Sequence, residues 1–155
     1  MRRMIVGMGI LLTACSMQPS GEAMKPGLWR FVDEVLEISS EGISKSYLER
    51  LRSKADGTVT ERCIRPGRVN SVLSVIDPLQ DDAQISGEVL KDGQIDATVT
   101  RVDRLLKEEA KITGSYEPEH FIVTSKNSVT GSPNPLANIE FTMRRTGKRI
   151  GDCPD

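Results

Sequence analysis

The chain of 155 residues is long enough for one ordinary domain and too short for two. Hydrophobic residues make up 37% and charged residues 28%, a balance typical of globular proteins that argues against wholesale disorder. The formal net charge of -1 provides no basic surface for neutralising phosphates, so nucleic-acid binding is not expected. Aromatic residues are only 4% of the chain, so the core is expected to consist mainly of Val, Ile, Leu and Ala.

The first fourteen residues follow the order of an export signal. Arg2 and Arg3 form a positive start, and the apolar run at residues 4–12 is too short to span a bilayer as a helix. Residues 12–15 read Leu-Thr-Ala-Cys and resemble the bacterial lipobox, which implies cleavage before Cys15 and attachment of lipid to its thiol. The alternative is an ordinary secretory signal followed by a chance cysteine. Removal of residues 1–14 takes away two arginines and no acid, which changes the formal charge to -3.

These features predict three segments. Residues 1–14 are the signal peptide, residues 15–25 are the lipidated cysteine and a flexible tether, and residues 26–155 are a single periplasmic domain. In enterobacterial lipoproteins an Asp after the lipidated Cys favours the inner membrane, so Ser16 resembles the outer-membrane class. We therefore expect a protein held on the periplasmic face of the bacterial cell envelope, at the outer membrane rather than the inner one.

The first half of the domain shows both strand and helix patterns. Residues 28–39 and 58–64 are predicted strands, and residues 46–55 form a predicted helix that ends at Asp56-Gly57. A second helix is predicted over residues 69–76. Its apolar residues lie at i, i+3, i+4 and i+7, and they are Val69, Val72, Leu73 and Ile76, with Pro78 as the stop.

The second half reads as a meander of strands. Apolar and polar residues alternate over 83–89, 95–100, 109–116 and 138–143, and a further strand opens at Phe121 and Val123. Asp92-Gly93 is a strong hairpin signal, residues 117–120 form a turn, and residues 131–135 form a loop. Such alternation is typical of antiparallel sheets with one wet and one dry face.

The predicted fold is therefore mainly β, with α+β as the alternative. We expect a curved antiparallel meander or open barrel with one or two short helices, of which the helix at residues 69–76 covers the dry face. Several inward positions carry small residues, namely Ala83, Gly87, Ala97, Ala110 and Gly114. They indicate either a concave pocket for an apolar ligand or, as we favour, close packing of a covering helix.

Two cysteines remain once Cys15 is assigned to lipid. The periplasm is oxidising, so a disulfide between Cys63 and Cys153 is expected, with two unpaired buried thiols as the alternative. The bond would close a loop of 90 residues and tie the C-terminus to the middle of the fold. Zinc is not expected, because two cysteines and one histidine without CxxC spacing do not make a closed tetrahedral site.

Two terminal motifs resemble a known family. Residues 25–29 read KPGLW and residues 147–154 read GKRIGDCP, similar to the PGLW opening and GxRxGxCP ending of the domain of unknown function 3617 family. The resemblance spans residues 25–154 and is weak between the two terminal motifs. Cys63 matches the position of an early family cysteine. It implies an exported, disulfide-stapled β-rich domain in which the motif residues are structural: Pro26, Gly27, Leu28, Trp29, Gly151 and Pro154. Several family members carry four cysteines, so a second disulfide would be missing here.

The chain carries little that resembles an active site. His120 lies in an acidic turn, where it is either a base or, as we favour, a solvated side chain. The basic run Arg144, Arg145, Lys148 and Arg149 either meets anionic lipid headgroups or is a solvated strand end. We expect no enzyme, metal or cofactor, but a binding module whose partner is an envelope protein or an apolar ligand. A structural envelope protein is the alternative, followed by a hydrolase that uses His120 or Cys63.

Overall fold

The computed structural model describes residues 22–76, 83–103, 106–131 and 138–154. Within these ranges seven strands form one antiparallel sheet, and one α-helix packs along the first strand. The strands and the helix are β1 (Gly27–Ser40), α1 (Lys45–Ala55), β2 (Val59–Ile64), β3 (Gln84–Lys91), β4 (Gln94–Asp103), β5 (Leu106–Glu117), β6 (His120–Thr130) and β7 (Ile139–Gly151). The predicted mainly-β fold is confirmed. The predicted signal peptide, Cys15, Pro78 and most of the loop at 131–135 lie outside the described residues.

The strand order explains how the two halves of the chain join. It is β2-β1-β7-β6-β5-β4-β3, so the last five strands form the predicted meander and β7 returns beside β1. Asp92 and Gly93 have φ values of 54° and 76° at the turn between β3 and β4. Positive φ at both central residues is the mark of a type I′ turn, and the Asp-Gly pair tolerates it. The hairpin prediction is therefore confirmed.

The sheet has two ends that differ in packing. We call the end at which the chain enters β1 the entry end; it holds Gly27, the β5–β6 turn and the C-terminal Gly151. The opposite far end holds Ser40 and Ile139. Inward side chains near the entry end form one buried cluster with Trp29, Phe31 and Phe121 at its centre. Burial of such large side chains contributes most of the driving force for folding.

A short segment closes the core face in place of more strands. We call residues 65–76 the strap. The strap contains two 3-10 turns, Pro66–Arg68 and Val72–Ser74, and its Val72 and Val75 are fully buried. The predicted α-helix at 69–76 is therefore wrong, although the predicted cover of the dry face is present.

Side chains of the sheet bind backbone groups of the strap and hold it across the core face. Arg62 on β2 donates to the carbonyls of Ser74 (2.8 Å) and Ile76 (3.1 Å). Glu88 on β3 accepts from the backbone N–H of Val72 at 2.6 Å. Strands β2 and β3 are opposite edges of a sheet that would be about 29 Å wide if flat. Because both edges reach the same short segment, the sheet is strongly curved, yet these edge strands do not pair and the barrel stays open.

The alternation predicted for residues 83–89 fails at Gly87. Ser86 pairs with Thr98 and Val89 pairs with Asp96, so two residues of β3 lie opposite one residue of β4. Gly87 has φ +61° and supplies the left-handed position of this β-bulge. The bulge reverses the order of inward and outward residues. Glu88 therefore faces the strap, and Val89, predicted to be inside, is 42% exposed.

The domain begins slightly before the predicted boundary at residue 26. Met24 is only 3% exposed and belongs to the core cluster. The backbone N–H of Lys25 donates to the carbonyl of Pro118 at 2.8 Å. Both residues are therefore part of the domain rather than of a flexible tether.

The predicted helix at 46–55 is confirmed as α1. It ends at Asp56-Gly57, where the Asp56 carboxylate accepts from the backbone N–H of Val35 at 3.0 Å. The N–H of Gly57 donates to the carbonyl of Asp33 at 2.7 Å. The end of α1 thus extends the hydrogen bonding of β1 beyond its pairing with β2. At this point of β1 the side chain of Asp33 is buried on the core face.

Candidate functional site

The core face carries a cleft between the packed entry end and the far end. Its volume is about 360 Å³, within the range of pockets that hold small ligands. The cleft runs along β6 from Val123 to Asn127 and along β7 from Arg145 to Phe141. This wall is about 13 Å long along the strands. Across the strands the lining extends from Asp33 on β1 to Val99 on β4, which spans five neighbouring strands. Val75 and Ile76 of the strap line the inner part of the cleft.

The two ends of the cleft differ in exposure. Val75, Ile112 and Val123 line its inner end and are at most 3% exposed. Met143 and Phe141 follow toward the far end and are only partly buried. Among the described residues, the cleft is therefore lined by fully buried core side chains at its inner end and by partly exposed side chains toward the far end.

Ala110 is the small residue that leaves room in the cleft. It lies on the inward face of β5, one inward position from the buried Ile112 toward the far end of the sheet. The other small residues have different roles: Ala97 is buried in the core cluster, and Gly87 makes the bulge. A Cβ on Gly114 would lie 2.2 Å from the carbonyl oxygen of Ile122, so that glycine permits close strand contact. The close contact at Gly114 is therefore with a neighbouring strand and not with the covering helix that we expected, whereas Ala110 lines the cleft.

A buried ion pair forms part of the cleft wall. Arg145 donates from Nε to Asp33 Oδ1 at 2.6 Å and from its terminal nitrogen to Oδ2 at 2.8 Å. The exposed fraction is 9% for the side chain of Asp33 and 20% for that of Arg145. The guanidinium also lies 5.9 Å from the Phe31 ring centre. Such a bidentate pair satisfies both oxygens of the carboxylate, so it adds no net charge to the cleft.

The amide of Asn127, on the far-end side of the cleft, is hydrogen-bonded within the sheet. The amide nitrogen of Asn127 donates to the carbonyls of Ser125 (3.1 Å) and Phe141 (3.2 Å). Beyond Asn127 a second cavity of about 130 Å³ shares the walls at Ala110 and Phe141. It is bordered by Arg101 and Glu108, whose charged groups lie 3.6 Å apart. Oppositely charged groups thus border this second cavity toward the far end of the sheet.

The two terminal motifs lie side by side at the entry end. A Cβ on Gly27 would lie 2.5 Å from the carbonyl oxygen of Gly151, and φ at Gly27 is +145°. Arg149 Nε donates to the carbonyl of Pro26 at 2.8 Å. Trp29 is fully buried and its indole N–H donates to the carbonyl of Lys25. Leu28 is half-buried between its partners on β2 and β7, whereas Pro154 is exposed.

The cysteine pair spans β1 at the same end of the sheet. Leu28 pairs with Cys63 on one side and with Gly151 on the other. Cys63 and Cys153 stand at disulfide distance, with 5.3 Å between their Cα atoms. The predicted pairing is therefore in place, and it ties the edge strand β2 to the residues that follow β7. No family model matches the chain, nor does any curated protein or solved structure.

The residues considered for catalysis do not come together. The side chain of His120 is 53% exposed, and its Nδ1 lies 3.5 Å from Glu117 Oε2. Cys63, the alternative nucleophile, lies on the other side of β1 and β7 with its sulfur against that of Cys153. In the described ranges no group of three or more His, Cys, Asp or Glu side chains has the arrangement of a metal site.

The basic run is part of the sheet and not a solvated strand end. Strand β7 continues to Gly151 between β1 and β6, instead of ending near Met143. Arg144 points outward and pairs with Glu34 at 3.2 Å, whereas Arg145 points inward to Asp33. Arg149 pairs with Asp152. Acidic neighbours therefore neutralise most of this cluster.

Sequence reasoning missed the polar residues of the cleft. Asp33 and Arg145 share the inward phase of their strands with Phe31 and Met143. An acid and a base in the inward phase of two strands are a signal for a buried pair, because charged residues are rarely buried alone. The pairing of β1 with β7 was not predicted from the sequence, so Asp33 and Arg145 could not be recognised as partners.

Proposed function

We propose that this chain is a lipid-anchored periplasmic module that binds an apolar ligand without catalysis. The observation that carries the proposal is the cleft on the core face, whose described wall consists mainly of apolar side chains. A cleft with buried apolar walls and few polar groups is the usual form of a small-molecule site. The dispersed positions of His120 and the cysteines favour binding over hydrolysis.

The anchor is proposed from the sequence at residues 12–15. Each lipid CH₂ in a bilayer contributes about 0.8 kcal/mol, so several acyl chains on Cys15 make attachment stable. Eight residues, 16–23, separate Cys15 from the buried Met24, so an extended chain spans at most about 32 Å between them. Ser16 favours the outer membrane over the inner membrane. The same compartment supplies the oxidising conditions in which Cys63 and Cys153 pair.

Binding is tested with the mature chain exported behind an ordinary secretory signal with Cys15→Ser, so that no attached lipid competes. The probe is N-phenyl-1-naphthylamine, whose fluorescence rises in apolar sites. We expect saturable binding that Ala110→Trp lowers at least tenfold by filling the cleft. The matched control is Thr113→Trp, which places the same side chain on the outer face of β5. Equal binding by both variants, or no saturable binding, would contradict the proposal.

Anchoring is tested by membrane fractionation and intact mass of the protein from its native host. We expect acylated chain without residues 1–14 in the outer-membrane fraction. Cys15→Ala should leave an uncleaved and unlipidated precursor, and Ser16→Asp should keep the lipid but shift the protein toward the inner membrane. Met1 still attached to a protein without added mass would refute the anchor.

A structural role in the envelope without a ligand is the second candidate. The observation that favours it is the position of the terminal motifs, which pack against one another and away from the cleft. On these motifs we also propose that the chain belongs to the domain of unknown function 3617 family. In this second candidate the motifs serve the packing of the domain rather than the binding of a ligand. Deletion of the protein with loss of envelope integrity, rescued by Ala110→Trp as well as by the natural chain, would favour this candidate.

A further inference from the structure

We infer that the entry end of the domain lies against the membrane that carries the anchor, with Arg65 and Arg68 on the phosphates of anionic phospholipids. The inference rests on the proposed lipid anchor and adds a contact surface and an orientation to it. Its basis is the place where the tether joins the domain, the two arginines that stand there, and the contrast between their charge and that of the whole chain.

The tether joins the domain at the entry end. Met24 is buried in the core cluster, and the backbone N–H of Lys25 donates to the carbonyl of Pro118 in the β5–β6 turn. The residues between Cys15 and Met24 reach at most about 32 Å when extended, and about 17 Å on average as a flexible chain. The lipid therefore keeps the entry end within reach of the bilayer surface.

The turn from β2 to the strap carries two exposed arginines at this end. Ile64 pairs with Gly27 at the end of the sheet, so residues 65–68 pass beyond it before the strap returns over the core face. Arg65 and Arg68 are both exposed, and the backbone N–H of Arg68 donates to the carbonyl of Arg65 at 2.9 Å. We call these two residues the turn arginines.

The turn arginines stand beside the point where the tether enters the domain. Val69 and Asn70, which follow them directly, line a cavity of about 210 Å³ together with Ala23 and Met24. A guanidinium group presents a planar fork of N–H donors that fits two oxygens of one phosphate. Any membrane contact made at the base of the tether therefore brings phosphate-binding groups to the lipid headgroups.

Charge at the entry end leaves the turn arginines available. Two acids of this end already bind other cations, since Glu119 pairs with Lys25 at 2.9 Å and Asp152 pairs with Arg149. Among the described residues the side chains of the turn arginines have no such acidic partner. They can therefore neutralise lipid phosphates without first giving up an ion pair within the protein.

The charge of the whole chain turns this local attraction into an orientation. The mature chain has a formal charge of -3, so an anionic membrane repels the domain as a whole and attracts only its cationic end. One arginine near such a surface favours contact by about fivefold, and salt confines the effect to about 8 Å. The tether makes so weak a contact effective, because the domain cannot diffuse away from the surface.

The test uses the mature chain with Cys15 joined through its thiol to a maleimide-bearing lipid in nanodiscs. Cys63 and Cys153 are paired, which leaves Cys15 as the reactive thiol. The discs consist of phosphatidylglycerol and phosphatidylethanolamine with a trace of a gadolinium-chelate lipid, which broadens NMR signals of amides near the membrane. We expect strong broadening at Gly67, between the turn arginines, and weak broadening at Gly42, which follows β1 at the far end.

Variants then test the turn arginines themselves. Arg65→Gln with Arg68→Gln should lower the broadening of Gly67 by about fivefold, and discs of phosphatidylcholine should do the same for the natural chain. The matched control is Arg50→Gln with Arg52→Gln, which removes the same charge from α1 and should leave the broadening of Gly67 unchanged.

Three results would overturn the inference. They are equal broadening of Gly67 and Gly42 in the anionic discs, broadening of Gly67 that persists without the turn arginines, and an equal loss of broadening in the α1 control. None of these results bears on the anchor, because the maleimide link replaces natural acylation. An intact mass without acyl groups would instead remove the anchor and, with it, this orientation.

Discussion

The entry end and the far end of this sheet use the same inward-facing surface in different ways. At the entry end Trp29, Phe31 and Phe121 fill the interior, and Gly147 leaves the space that the Phe121 ring occupies. At the far end Phe141 and Met143 face the same side but remain partly exposed around a cleft. The difference teaches that the stability of this domain and its candidate site are separated along the strands. Changes at one end should therefore act on folding, and changes at the other on binding.

The largest effect should come from opening the Cys63–Cys153 pair at the entry end. A closed loop of 90 residues stabilises the fold by about 4.6 kcal/mol in the chain-entropy model. We expect Cys63→Ser and Cys153→Ser to lower the free energy of unfolding by similar amounts in denaturant titrations. Dithiothreitol should destabilise the natural chain and leave Cys63→Ser unchanged. Equal stability of the oxidised and reduced natural chain would show that the pair does not staple the fold.

The next largest effect should come from truncating large side chains, which should lower the free energy of unfolding by different amounts at the two ends. Trp29→Ala removes a fully buried side chain and should cost about 3–5 kcal/mol of unfolding free energy. Phe141→Ala removes a partly exposed side chain and should cost only about 1 kcal/mol. Naphthylamine binding should respond in the opposite order, provided the titration is done where both variants are folded. Equal losses of stability would mean that both ends are packed alike.

A third comparison lies within one pair of adjacent residues. Asp33 and Glu34 each pair with an arginine of β7, but Asp33 faces inward and Glu34 outward. Asp33→Asn weakens a mostly buried pair and should cost about 3 kcal/mol. Glu34→Gln weakens an exposed pair and should cost about 0.5 kcal/mol or less. Double-mutant cycles with Arg145→Met and Arg144→Met measure the two coupling energies, and similar values would contradict the assigned burial.

The smallest effect concerns an exposed contact at the entry end. The hydrogen bond from Lys25 Nζ, together with its charge, holds the pKa of the Glu119 carboxyl below its ordinary value. A carboxyl whose pKa is lowered by folding stabilises the fold above its unfolded-state pKa. This contribution is lost as pH falls through the lowered folded-state pKa. Lys25→Met should raise the pKa of Glu119 toward the ordinary value in an NMR titration.

The fold class was accessible from the sequence because alternation of two residues is a local property. Ile95, Ala97 and Val99 alternate with polar residues and are all buried on β4. The alternation predicted over residues 83–89 is wrong in β3, because its periodicity changes within the strand. At Gly87 an extra residue shifts the phase, and a glycine in a strand does not by itself reveal such a bulge.

The strap shows why an apolar periodicity of 3.6 can mislead. Val69 and Val72 are buried as the helical pattern predicts, but the backbone forms two 3-10 turns whose polar groups are bound by Arg62 and Glu88. These partners come from opposite edges of the sheet, so only the curvature of the sheet brings them to the strap. Local pattern therefore identified the buried residues and missed the backbone conformation.

The candidate site depends on contacts that lie far apart in the chain. Asp33 and Arg145 are 112 residues apart and meet only because β7 returns beside β1. In the sequence Ala110 is one of several small inward residues, and only the folded sheet places it in the same cleft wall as Ile76 of the strap. A cleft is a volume left between elements, so no single segment carries its signature.

By itself the sequence determined the strand-rich character of the domain, the hairpin at Asp92-Gly93, the helix α1 and the pairing of two distant cysteines. These follow from local periodicity, turn chemistry and the count of thiols, which need no knowledge of long-range contacts. Only the tertiary structure decided the order of the strands, the course of the strap, the burial of Asp33 with Arg145 and the existence of the cleft. Those features arise when a curved sheet brings distant residues together and leaves space that packing does not fill.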